Sequence, residues 1–250
     1  MSIKYYTNNE LIDISDMLIK STDSDPDKPL IYKNVLYNLD IPNYQDGGST
    51  VANLGTSGKT ITVGNCSKVG DAIHFKPKAA HSQIKINENP FIQNRFVFDF
   101  TINNVSTNEM EQYHRFFQIT TLSELDRYFT LYSNKQASDG HAFVIEIQNG
   151  IVVDNSHVEI LDSDCMLNAW VVNPAYLTPN NFTTPHSFKF EFNNIDNYIL
   201  FTLDNSPCVK YPITSYGTAK TNAQNIIWGY TPYTYGAIMD MTKCTVIEKA

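Results

Sequence analysis

Hydrolysis of a glycosidic bond needs two carboxyl groups facing each other about 5–10 Å apart, so glutamates in strand-like stretches are the first residues to weigh. Glu146 stands alone between Ile145 and Ile147, the pattern of a solvent-facing strand residue. A hydrolase would have to bring Glu146, Glu159 and Glu191 together from separate strands. Glu159, Asp162 and Asp164 cluster with His157 in DNSHVEILDSDC. Calcium takes several hard oxygen ligands, which makes Asp162 and Asp164 the candidates for a metal site, with a solvated acidic turn as the alternative. The histidines, His74, His81, His114, His141, His157 and His186, are scattered, with no HExxH pair and no GxSxG elbow. The glycines of NLGTSGKT have neither Walker nor dinucleotide spacing. No catalytic residue is assigned, no enzyme is expected, and no cofactor is implied beyond the calcium candidate.

Aromatic side chains in polar, turn-rich sequence point to a different chemistry. Sugars stack their apolar faces on rings while neighbouring Asn and Asp bond the hydroxyls, and the same rings serve protein interfaces. WGYTPYTYG supplies Tyr230, Tyr233 and Tyr235, and AWVVNPAYLTPNN supplies Tyr176. These four are the candidate contacts for a glycan or a neighbouring subunit. Trp228 ends an apolar strand and is assigned to the core, as is the apolar stretch around Trp170. Cys66, Cys165, Cys208 and Cys244 are widely spaced with no CxxC pair, and are read as buried, reduced thiols.

Strands must position these residues. In 95–102, Phe96, Phe98, Phe100 and Ile102 alternate with Val97, Asp99 and Thr101; Phe188, Phe190 and Phe192 alternate with Lys189 and Glu191. That two-residue period marks strands with one face in a core. Residues 188–192 and 198–203, joined by a polar turn, read as a hairpin. Further strands are expected at 60–63, 72–75, 84–86, 116–120, 128–132, 142–148, 151–153, 166–172, 225–228 and 237–247, separated by Gly, Asn, Asp and Pro clusters. One helix is expected, over 9–20, where Leu11, Ile14, Met17 and Leu18 fall near one face. The linker STDSDPDKP follows, so residues 1–45 read as an N-terminal arm and possible assembly anchor, and 46–250 as the sandwich. The alternative adds part of the arm to a sheet through Leu30, Ile31 and Val35 to Leu39.

Composition narrows the class. With 42% hydrophobic, 12% aromatic and only 18% charged residues the chain is globular and suited to strands, and a formal net charge of −8 leaves no basic surplus for a phosphate backbone. Nucleic acid is excluded as the expected partner. No run of about 18 apolar residues suggests membrane insertion, and the first twenty residues do not read as a secretory signal, so cytoplasmic synthesis is expected.

Three stretches resemble the concanavalin A-like lectin/glucanase superfamily, in its LamG-like jelly-roll branch. They are DGGSTVANLGTSGKTITVGNCSKVGDAIHFKPKAAHSQIKI, with Gly70, Ala72 and Phe75 in a G-x-A-x-x-F-like strand; HSFKFEFNNIDNYILFTLDNSPC, with its Asp204–Asn205 turn; and IIWGYTPYTYGAIMDMTKCTVIEKA. The resemblance spans 46–250 and implies an all-β, two-sheet antiparallel jelly-roll sandwich preceded by the helical arm. The E-x-D-x-x-E strand of the superfamily's glucanases has no counterpart here. The expectation is a non-enzymatic, lectin-like structural or adhesion module. Its setting is expected to be a phage or virus particle, where it decorates the virion surface or binds host glycans. Other virion subunits and further copies of itself, as a homo-oligomer, are the expected partners. A purely structural assembly protein and a glycoside hydrolase are the alternatives.

Overall fold

A computed structural model describes residues 4–7, 10–13, 32–76, 81–106, 113–134, 142–161, 184–229 and 235–249. In chain order the first strands are β1 (Lys4–Thr7), β2 (Glu10–Asp13), β3 (Tyr32–Asn38), β4 (Thr50–Val51), β5 (Ile61–Gly64), β6 (Ser67–Val69), β7 (Ala72–Phe75) and β8 (Gln83–Ile86). The central strands are β9 (Arg95–Ser106), β10 (Tyr113–Thr121), β11 (Arg127–Asn134), β12 (Ala142–Ile147), β13 (Val152–Val153) and β14 (Glu159–Ile160). The last are β15 (His186–Asn193), β16 (Tyr198–Leu203), β17 (Ser206–Ser215), β18 (Ala223–Gly229), β19 (Tyr235–Gly236) and β20 (Ile238–Lys249), with a single turn of helix, α1, at Ala219–Asn222.

Two sheets form the sandwich. The eight-stranded sheet runs β12-β11-β10-β18-β8-β5-β4, and β19 continues beside β10 where β18 ends. The ten-stranded sheet runs β13-β17-β16-β15-β9-β20-β7-β6, with β14 also on β17 and β3 also on β20. Within both sheets the pairing is antiparallel except between β10 and β19. The hairpin turn at Asp204–Asn205 has φ of 47° and 68°, the doubly positive geometry that two-residue hairpin loops favour and that Asp and Asn tolerate.

Alternation puts the rings inside. Phe98 and Phe100 of β9 and Phe188, Phe190 and Phe192 of β15 face Phe117 of β10, Phe129 of β11 and Trp228 of β18, all fully buried. Phe117 stacks on Phe190 at 5.7 Å with its ring nearly parallel, while Phe98 meets Phe117 at 4.9 Å and Phe117 meets Trp228 at 5.3 Å. Each such pair adds about 0.5–1.5 kcal/mol to the burial of its own surface. At one end of the sandwich gather the strand ends Phe75, Gln83, Ser106, Tyr113, Asn134 and Gly229. Gly229 locks that end. Its φ of +87° is left-handed, and a Cβ there would stand 2.5 Å from the Ser82 carbonyl oxygen and 2.8 Å from the Phe75 ring, so no larger residue fits.

Two expectations change. Residues 10–13 are a strand paired with β1 and not the start of a helix over 9–20. Of the two readings of the arm, the one that adds Val35 to Leu39 to a sheet agrees with the pairing of β3 with β20, and Tyr37, Leu39, Ile41 and Tyr44 are buried in the common core. Of the cysteines, Cys66 and Cys244 are free and buried, but Cys208 is disulfide-bonded, so the reading of four reduced thiols is corrected. Cys165 and the strand expected at 166–172 lie outside the described residues.

Two outcomes follow from this packing. Phe117→Ala should cost about 3–5 kcal/mol in urea unfolding, whereas Ile195→Ala, in an exposed turn, should stay within about 0.5 kcal/mol of the parent. Burial pushes the Cys66 thiol up to about 12 and the Cys244 thiol well above its ordinary range. Neither should therefore react with a thiol reagent near pH 8 until denaturant is added, and fast native labelling mapped to either would contradict the packing described.

Candidate functional site

The inward faces of the sheets are filled with rings and aliphatic groups, so the outward faces are where a ligand must be met. On the eight-stranded sheet, register places Glu146, Thr130, Gln118, Ile227, Lys85, Thr62 and Thr50 opposite one another in a single row across seven strands. All but Ile227 can form hydrogen bonds through their side chains. A parallel row toward the Gly229 end holds Gly64, Gln83 and Gly229, two positions without a side chain on either side of a glutamine. The opposite row holds Thr120 and Asn225.

Several of these groups are buried with part of their hydrogen-bonding capacity unused. Gln118 donates through Nε2 to the Gly229 carbonyl at 3.0 Å, and Asn225 donates through Nδ2 to the Thr121 and Leu122 carbonyls at 2.8 and 3.3 Å. Yet Gln118 Oε1, Asn225 Oδ1, Gln83 Oε1 and Thr130 Oγ1 have no partner. A buried polar atom left in that state costs about 1–3 kcal/mol. Four on one face are a concentration of unspent acceptors and one hydroxyl.

Lys85 on this face is compensated by Glu124 at 3.1 Å, drawn over the sheet by the turn between β10 and β11. The Arg115 guanidinium lies 4.7 Å from the centre of the Tyr132 ring. The ends of the long row are open, with Thr50 and Thr62 exposed and Glu146 and Lys85 half-buried, while Gln118 and Thr130 at its centre are 0% exposed. A ligand can meet the ends directly; reaching the centre requires local opening.

The residues singled out from the sequence are distributed unevenly. Tyr235 lies in β19, paired beside His114 at the Gly229 end of this sheet. Tyr230, Tyr233, Tyr176, Asp162 and Asp164 fall outside the described residues, as does Trp170. Trp228 is fully buried, as expected. Among the described residues no group of three or more His, Cys, Asp or Glu converges as a metal site, and no helix is long and apolar enough to cross a membrane.

The three glutamates are not brought together. Glu146 faces outward on the eight-stranded sheet, whereas Glu191 and Glu159 face outward on the ten-stranded sheet, so the whole sandwich separates them. Glu191 stands opposite Leu200, Leu200 opposite Lys210, and Lys210 opposite Glu159. Three strand spacings of about 4.8 Å each put these two near 14 Å apart, beyond the reach of a carboxylate pair. Each is also engaged locally, Glu191 by the Tyr198 hydroxyl at 3.0 Å and Glu159 by Lys210 at 3.2 Å.

The amide and hydroxyl row was not singled out from the sequence. Thr and Gln alternating with apolar residues read as an ordinary solvated strand face, and only the register between distant strands lines them up. Histidine partners were equally hidden: His74 Nδ1 meets Asp240 at 2.7 Å and His186 Nδ1 meets Asp204 at 2.6 Å.

No protein-family model matches the sequence, and no curated protein sequence matches it either. Among solved structures, a Trypanosoma rangeli sialidase is similar with a TM-score of 0.57 and 10% identity, over 93% of this chain and 34% of that one. The Emp47p carbohydrate recognition domain is similar with a TM-score of 0.51 and 12% identity, over 86% of this chain and 96% of that domain. The CBM2 module of the evolved Dit protein of Lactobacillus casei BL23 phage J-1 has a TM-score of 0.49 and 13% identity, over 87% and 97%. The chain spans about a third of the length of the sialidase chain. At these identities the likeness shows the fold alone, a two-sheet antiparallel sandwich of the jelly-roll, lectin-like kind.

Proposed function

We propose that this chain is a lectin-like binding module that engages uncharged glycans, and that it is not a glycoside hydrolase. The observation that carries the reading is the outward face of the eight-stranded sheet, where Gln118, Thr130, Asn225 and Gln83 each hold a partnerless polar atom. Sugar hydroxyls donate and accept, so once local opening uncovers these buried atoms one ring can satisfy several of them at once. Compensation of Lys85 by Glu124 favours a neutral ligand over an anionic one. The Emp47p domain with the same fold is by its name a carbohydrate recognition domain, and that class of ligand is the one proposed here. The separation of Glu146 from Glu159 and Glu191 weighs against hydrolysis by those residues.

The setting we propose is a phage or virus particle, where the module decorates the surface or adheres to host glycans beside other virion subunits and copies of itself. The β1–β2 hairpin favours an assembly role, because among the described residues it pairs with itself and adds to neither sheet. A two-stranded hairpin alone is marginal in water, and a neighbouring subunit would supply what it lacks. In a second reading this assembly role is the whole function and no sugar binds. Tyr230, Tyr233, Tyr235 and Tyr176 remain the proposed aromatic contacts under either reading, and Asp162 and Asp164 the proposed calcium ligands.

Thr130→Val separates the two readings. It replaces a buried, partnerless hydroxyl with a methyl of similar size, so stability should be unchanged or rise by up to about 1 kcal/mol. Under the glycan reading the same variant should lose at least about tenfold in affinity for neutral oligosaccharides that the parent retains on a glycan array, a loss of about 1.4 kcal/mol. A parent chain that binds no glycan, or a variant that binds as well as the parent, would overturn the assignment of this face.

A further inference from the structure

The centre of the polar row on the eight-stranded sheet is buried although it faces outward, and the turn between β10 and β11 reaches over it. Ile227 stands between Gln118 and Lys85 in that row. It is fully buried, yet it is not part of the common core between the sheets. Thr120 and Asn225, in the row nearest the turn, are buried as well. Glu124 of the turn meets Lys85 of β8 at 3.1 Å, although β18 lies between β8 and β10. Two strand spacings come to about 10 Å, so this ion pair spans the outward face of β18.

The turn is a self-contained unit with few fastenings. Internally, the Thr121 N–H donates to the Asp126 carbonyl and the Glu124 N–H to the Thr121 carbonyl, each at 3.0 Å, and the Thr121 and Ser123 hydroxyls meet at 3.1 Å. Toward the face beneath, it is held by Lys85 and by the Asn225 amide, which donates to the Thr121 and Leu122 carbonyls. Leu122 and Leu125 are exposed, so burial of these two side chains adds little to the hold. Glu124 has φ of +61°, a left-handed position that suits Gly or Asn better than Glu. What a glutamate contributes there is its side chain, and that side chain is spent on Lys85.

We propose that residues 121–126 form a flap, latched by the Lys85–Glu124 pair, whose release opens the outward face of the eight-stranded sheet to ligand. The flap's role in binding rests on the glycan reading of this face, whereas its opening does not. A neutral sugar carries no charge with which to replace Glu124 at Lys85, so it enters when the flap has opened and does not displace the latch by competition. The apparent affinity is then lowered by the fraction of molecules that are open. With the flap lifted, the Asn225 amide gives up both turn carbonyls and becomes available beside the unused polar atoms of Gln118 and Thr130.

Side-chain amide hydrogen exchange, followed by NMR on the full chain, measures the opening directly. The Asn225 amide protons should exchange about two- to fivefold faster in Glu124→Ala than in the parent, the change expected for loss of one such ion pair. The Gln118 amide, held by the Gly229 carbonyl at the other end of β18, should exchange as in the parent. Glu124→Gln, which can still accept a hydrogen bond from Lys85, should fall between the two. The association rate for a neutral oligosaccharide that the parent retains on a glycan array should rise by the same factor as Asn225 exchange, with dissociation unchanged. An Asn225 rate in Glu124→Ala equal to the parent's, or a Gln118 rate that rises with it, would overturn the flap. Faster Asn225 exchange without faster association would overturn its role as a gate. A parent that binds no glycan overturns the glycan reading and the gate with it, and the flap itself still stands or falls on Asn225 exchange.

Discussion

The packing of rings between two sheets is the constraint on which everything else in this molecule rests. Phe98, Phe100, Phe117, Phe190 and Trp228 touch across the midplane, and a strand can deliver such rings inward only at every second position. The remaining positions are thereby forced outward in register. The long polar row on one sheet and the His74–Asp240 pair on the other are the reverse sides of the same alternation. A one-residue slip of β10 would turn Gln118 into the core and Phe117 out of it, so the lateral alignment of polar groups is as tightly specified as the core itself.

That constraint explains what could be read from the sequence. The phenylalanines at 96, 98 and 100 and at 188, 190 and 192 carry a two-residue period strong enough to reveal both strands, and β15 and β16 form the hairpin that period implies. Trp228 could be placed in the core because it ends an apolar strand. The arm was harder. Leu11, Ile14, Met17 and Leu18 fit a helix, but four residues at 10–13 carry too few positions to separate that spacing from a strand, and pairing with Tyr5 and Tyr6 decides it. Val35, Tyr37 and Leu39 alternate as a strand should, but the proline-punctuated linker before them left a separate arm and an added strand both open.

Function was less legible because it depends on neighbours distant in sequence. Nothing local distinguishes Gln118 or Thr130 from a solvated strand residue; their burial and unused polar atoms arise only when β8, β11 and β18 are set beside β10 and its partners. Carboxylates show the converse. Glu146, Glu159 and Glu191 are chemically equivalent in sequence, and only the fold assigns one to one side of the sandwich and two to the other. The disulfide at Cys208 likewise could not be inferred from spacing that lacks any paired motif.

One feature of the topology bears on how the molecule is made. β20 pairs with β9 along one side and with β7 and β3 along the other, so one strand joins members of the sheet that lie far apart in sequence. Until it emerges from the ribosome, β3 and β7 have no common neighbour and the rings of β9 lack one flank. Vectorial synthesis therefore holds the ring-bearing edge of β9 open until β20 has been made. Contacts of such long sequence separation fold slowly, so this sheet is the last part of the sandwich to close.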